Sequence, residues 1–178
     1  RKMAETFTNA FKRAVGVVTT SSAGAIGITS TTITGISTGA VSVGNLVDNG
    51  NFIGGTKVTV IGASEVTVDT TSTNTASTSS QTVNFLGLTT AFTSTGQKSI
   101  LIGGTLANNT TNQVAATVQI SSGSTSYNLL YKVPVPAGSS VVISDAGKTL
   151  LLSADEIRVA SSVASSLDVS LSILQGVS

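Results

Sequence analysis

Tyr127-Asn128-Leu129-Leu130-Tyr131-Lys132-Val133-Pro134-Val135-Pro136-Ala137-Gly138-Ser139-Ser140-Val141-Val142-Ile143 decides the fold. It begins as a β run, stops at a Pro-x-Pro-x-Gly turn and restarts as Val141-Val142-Ile143. A proline has no N–H for a sheet ladder and fixes φ, so Pro134 and Pro136 mark a strand end or a sheet edge. Gly138 supplies the turn conformation, and the Ser139-Ser140 hydroxyls supply local bonding to the backbone.

Short apolar runs of the same kind lie on both sides. Ser99 to Ala107, Val114 to Ile120, Thr149 to Leu152, Glu156 to Ala160 and Leu167 to Leu174 read as strands. The segments Asn108–Asn112, Ser121–Ser126, Asp145–Lys148 and Ser161–Ser166 read as the loops and turns between them. Roughly seven strands at a spacing of about 8–12 residues are the cue for a β-sandwich. The expectation is an all-β chain, a sandwich of jelly-roll or immunoglobulin-like type.

The earlier half carries a tighter pattern. Residues 15–32 read as a strand and a Gly/Ser-rich connector. Ile33 to Ile36 and Val41 to Val47 alternate at period two, and Asp48-Asn49-Gly50 is a turn. Lys57 to Ile61 and Glu65 to Asp69 are strands around Gly62-Ala63-Ser64, and Val83 to Leu86 closes this meander. Residues 70–81 are nearly pure Thr, Ser, Asn and Ala and read as a low-complexity loop. At the N-terminus, Phe7 and Phe11 stand four apart beside Ala10 and Ala14, the spacing of one face of a short helix. Two phenylalanines on a terminal arm require a surface to bury them. Phe7, Phe11, Lys12 and Arg13 are therefore the candidate subunit-contact residues. The other reading is a terminal turn packed on its own domain.

Composition narrows the function. Charged residues make up 10% of the chain, against roughly 25% in a typical soluble domain. Polarity comes instead from hydroxyl and amide side chains, a surface suited to lying against other subunits. The net charge of +1 gives no support for phosphate binding, although Arg1, Lys2, Lys12 and Arg13 gather at one end. With no Cys and no His, the chain has no disulfide, no thiolate, no Ser-His-Asp set and no imidazole ligand. No stretch reaches eighteen apolar residues, and no apolar h-region follows the N-terminal charges.

The carboxylates are the remaining source of chemistry. Asp155 and Glu156 are neighbours and would face opposite ways on a strand. Glu65 and Asp69 would share a face, yet both flank turns and lack a partner base. Asp48-Asn49-Gly50-Asn51 superficially resembles the start of a calcium loop, but an Asx/Gly turn explains it. Gly54-Gly55 and Gly103-Gly104 lack the helix start and Lys-Ser/Thr of a phosphate cradle and read as bulge or turn glycines. Asn108, Asn109 and Asn112 offer amides to a sugar, or simply a solvated connection. The expectation is no catalytic, cofactor-binding or metal-binding residue, and no enzyme.

Two stretches carry a resemblance. Residues 97–174, with Gln97-Lys98-Ser99-Ile100-Leu101-Ile102-Gly103-Gly104-Thr105-Leu106-Ala107-Asn108-Asn109-Thr110, the Val133–Ser140 turn and Ala160–Leu174, resemble small virion structural proteins of tailed bacteriophages, cyanophages among them. Asn9 to Ala14 is similar to the opening of such proteins. Residues 33–86 resemble a separate small β module of phage and bacterial surface proteins, with Asn51-Phe52-Ile53-Gly54-Gly55 where that module has a proline-containing turn.

The resemblance implies three parts. Residues 1–19 form an N-terminal arm and first strand, 20–88 an inserted small β module, and 89–178 the C-terminal β-sandwich. It implies a capsid decoration (cement) protein acting through subunit contacts, or else a neck, collar or tail accessory protein. Its partners would be other virion proteins and further copies of itself in a trimer or ring, with no membrane and no nucleic acid. It would be located in the virion and assembled in the host cytoplasm. A receptor- or glycan-binding module is the alternative of another class. That would call for aromatic or acidic clusters on loop tips, where Ser72–Ser80 and Ser121–Ser126 offer none.

Overall fold

The computed structural model describes residues 5–143 and 147–177. Among them are fifteen strands and no helix: β1 (Thr6–Val15), β2 (Val17–Ile26), β3 (Thr32–Thr34), β4 (Leu46–Asp48), β5 (Val58–Ile61), β6 (Glu65–Val68), β7 (Thr78–Gly87), β8 (Thr89–Thr93), β9 (Lys98–Asn108), β10 (Val114–Ser122), β11 (Thr125–Val135), β12 (Ser140–Val142), β13 (Thr149–Leu151), β14 (Glu156–Ser161) and β15 (Leu167–Val177). The chain is all-β, as its strand spacing requires.

Two antiparallel sheets make the sandwich. One runs β1-β15-β9-β12, with β13 also on β9, and the other runs β11-β10-β14-β8. Their facing side chains include Leu101, Leu106, Val118, Ile157, Leu171 and Ile173, all fully or almost fully buried. β15 shows the alternation most plainly. Leu167, Val169, Leu171 and Ile173 point into the core, while Asp168, Ser170 and Ser172 lie on the outer face.

β9 and β15 approach so closely that a Cβ on Gly104 would stand 2.7 Å from the Ser170 carbonyl oxygen. Gly104 is thus a packing requirement. β11 lies at a sheet edge, so the missing N–H of Pro134 costs no interior ladder bond. The turn beyond it has Gly138 at φ +61°, and the Ser139 hydroxyl donates to the Pro136 carbonyl at 2.8 Å.

A third sheet, of six strands, runs β4-β7-β2-β3-β6-β5 around a core of its own that includes Ile26, Ile33, Val66, Val83 and Phe85. Gly16 opens the crossing to it. Its φ is +101°, and a Cβ there would meet the Val163 carbonyl oxygen at 2.3 Å. The chain goes out along β2 and returns along β7, with Val17 opposite Gly87. The two units touch through Leu46, Leu86 and Ala160, and Asp48 Oδ2 accepts the Ala164 N–H at 3.2 Å.

Three expectations change. Residues 6–15 form strand β1 instead of a helix, because a four-residue spacing also returns to the same side of a strand and β15 pairs with this segment from Thr6 to Val15. Residues 41–45 are turn, leaving Leu46–Asp48 as the strand. Gly44 sits at φ +92°, and Asn45 Oδ1 takes the Ser42 N–H. The segment 70–81 is partly ordered into β7 from Thr78. Within it, buried Ser72 donates to the Gly27 carbonyl and accepts the Ser30 N–H. Arg1, Lys2 and the Asp145-Ala146 part of one expected turn lie outside the described residues.

Candidate functional site

β1 is the outermost strand of its sheet and has β15 as its single strand partner among the described residues. Its register sets Phe7 opposite Leu174, Asn9 opposite Ser172, Ala10 opposite Leu171 and Phe11 opposite Ser170. Opposed residues share a face, so Ala10 packs on the core while Phe7, Asn9 and Phe11 line the outside. Phe7 is 65% exposed and Phe11 66%. The sequence placed these rings on a helix. The sheet places them on one outer face, four residue pairs or about 13 Å apart along the strand.

The end of the strand is set by Asp168. Its Oδ1 accepts the Ala14 N–H at 3.0 Å, where β1 bulges with Ala14 at φ 54°. Its Oδ2 lies 3.8 Å from Arg13 Nε, whose side chain is 90% exposed, so this ion pair is solvated and weak. Lys12 stands opposite Val169 and therefore leans toward the core side, exposed at the open rim of the sandwich. Phe11, Lys12 and Arg13 border a shallow groove of about 320 Å³ together with Asp168, Thr105 and Ala107. Beyond it the face continues with exposed Val142 and Leu150. The four contact candidates therefore occupy one strand, with both rings and the groove on the same face.

Among the described residues the carboxylates gather into no common cleft. Asp155 is buried, and its Oδ2 accepts the Leu152 N–H, closing the turn before β14. Glu156 pairs with Arg158 on the same strand. Asp69 accepts the Lys57 N–H and faces Lys132 Nζ at 3.4 Å. Partial burial pushes its pKa up. The Lys57 N–H, the Lys132 ammonium and the Thr70 hydroxyl outweigh that, holding the carboxyl below its ordinary value. Glu65 lies exposed at the start of β6.

Asn49 Oδ1 accepts the Asn51 N–H, so 48–51 is an Asx turn. Among the described residues no group of three or more Asp or Glu is placed to hold a metal ion. Asn108 is turned inward and nearly fully buried. Its amide nitrogen reaches the carbonyls of Asn112, Val135 and Pro136 at 2.8–3.1 Å, leaving none of it for a sugar.

One feature had no signal in the sequence. Lys57 and Lys132 bring their ammonium groups to 5.9 and 5.5 Å from the ring of Tyr131, at a cleft between the two units. Tyr131 and Lys132 are neighbours on β11, and Lys57, just before β5, is remote from them along the chain and meets them only in the fold.

Searches against family models, curated proteins and solved structures find no match for this chain.

Proposed function

We propose that the chain is a structural protein of a tailed-phage virion whose work is done by its surfaces. Its first placement is as a capsid decoration protein, with a neck, collar or tail accessory position as the close alternative. The observation that carries this is the pair of exposed rings, Phe7 and Phe11, on one face of the outermost strand of a sheet with Asn9 between them. An isolated soluble protein gains nothing from two two-thirds-exposed phenylalanines there, and the outermost strand of a sheet is a liability unless something covers it.

The resemblance carried by Ser99–Asn108, Val133–Ser140 and Ala160–Leu174 supports a virion setting. The scarcity of charge supports a surface made to lie against protein. Fully burying each ring contributes up to about 1.5–3 kcal/mol, and in a symmetric assembly many such contacts act together.

The test is immunogold labelling of purified tailed particles from a source that carries this gene. Label over the head assigns a decoration role, and label at the neck or tail assigns the accessory one. Particles free of label, with the protein left in the soluble lysate, overturn the reading.

A further inference from the structure

Resting on that reading of β1 as a contact element, we infer that its occupant is a second copy of β1. The two would pair antiparallel about a twofold axis through Asn9. The sheets of both copies then join into one continuous sheet, β12-β9-β15-β1 followed by its mirror order.

The register follows from the strand itself. Phe7, Asn9 and Phe11 are on the outer face, with Thr8 and Ala10 on the core face. Two copies related by an axis perpendicular to the sheet keep their outer faces on the same side. Outward residues must therefore oppose outward residues, and the axis must pass through a residue.

Placing that axis at Asn9 sets Phe7 opposite Phe11 of the second copy, twice. It also sets Glu5 opposite Arg13 of the second copy, twice, so opposite charges meet at both ends of the pair. Shifting the axis to Phe7 or Phe11 opposes identical rings once and separates Glu5 from Arg13. The segment is thus self-complementary in apolar surface and in charge about one residue. Both charges are available: Glu5 is exposed, and Arg13 is 90% exposed with a solvated contact to Asp168. The bulge after Lys12 ends regular pairing at Arg13, which limits the shared ladder to about nine residues per copy.

Asn9 is the critical position. The chain has no cysteine, so single cysteines can be placed freely. In this register Asn9→Cys lies opposite itself at a Cα separation of about 4.5–5.5 Å, within disulfide reach. Phe7→Cys lies four residues, or about 13 Å, from its own copy and is out of reach. The full chain carrying N9C, oxidised with copper-phenanthroline, is expected to convert mostly to a covalent dimer, and F7C is expected to remain single.

The charge test uses native mass spectrometry. E5R and R13E should each raise the dimer dissociation constant several-fold, and the double exchange E5R/R13E should restore it. A protein monomeric at about 100 μM, or a dimer in which N9C fails to cross-link and the double exchange fails to rescue, overturns the inference. Its failure is separable from that of the virion reading. A monomer that still labels particles removes the β1 pair alone, and a β1 dimer absent from particles removes the virion role alone.

Discussion

Lys132 Nζ lies 3.4 Å from Asp69 Oδ2, an ion pair between the two units that ties the edge strand β11 to the end of β6. Asp69 is also held by the Lys57 N–H at 2.9 Å. Because its folded pKa lies below the unfolded one, its contribution is fully present above the unfolded carboxylate pKa. It is lost as pH falls through the folded value.

Asp69→Asn should therefore lower the melting temperature at pH 7, and the gap to the parent should close in the acid range. The partners are 21% and 29% exposed, which keeps the effect at about 1 kcal/mol or less. Thermal melts of both proteins from pH 7 to pH 2.5 check it. A gap that stays constant across that range would show that Asp69 acts through packing and not through charge.

Asn108 looks in the sequence like part of a polar loop, and the structure makes it the staple of the Pro-x-Pro turn. Asn108→Ala leaves the buried Val135 carbonyl without its side-chain donor and opens space beside Pro136. A loss of about 2–3 kcal/mol is expected in urea denaturation. Asn108→Asp should do no better, since a carboxylate has no N–H to give. Wild-type stability in either variant would remove the staple.

Glycines that look alike in the sequence differ sharply in the fold. Gly16→Ala forces a Cβ to 2.3 Å from the Val163 carbonyl at φ +101°, so a cost of about 3 kcal/mol or more is expected. Gly123→Ala sits in open space at φ +57° and should cost about 1 kcal/mol. Equal denaturation midpoints for the two would contradict the close crossing between the units.

These residues also show what the sequence could and could not reveal. Pro134 announces a sheet edge and Pro136 and Gly138 a turn by their own chemistry, and Leu167–Ile173 announces a strand by strict alternation. Both readings hold because each is local. Phe7 and Phe11 fit a helix and a strand equally by spacing, and only the distant partner β15 decides between them. Residues 41–45 alternate well, but the left-handed Gly44 breaks the run. Ser72, Asn108 and the Lys57–Tyr131–Lys132 group depend on neighbours remote in sequence, so composition alone could not single them out. The contact candidates were visible by residue type. Their common face was not.

The last prediction concerns those rings. Phe7→Ser with Phe11→Ser removes two apolar groups that touch little of their own subunit, being 65% and 66% exposed. Core mutations cost several kcal/mol, whereas exposed ones away from special features stay within about 0.5 kcal/mol. Serine hydroxyls are already common on the neighbouring strand, where Ser170 and Ser172 sit opposite Phe11 and Asn9, so the outer face accepts them. The double variant should unfold at the same urea concentration as the parent. Its mass at assembly concentration should fall to that of a single chain. The control is Val142→Ser, an exposed residue on the far strand of the same sheet, which should change neither quantity. If the Phe variant unfolds early, the rings serve their own subunit. If it assembles like the parent, the contact lies elsewhere on the sandwich.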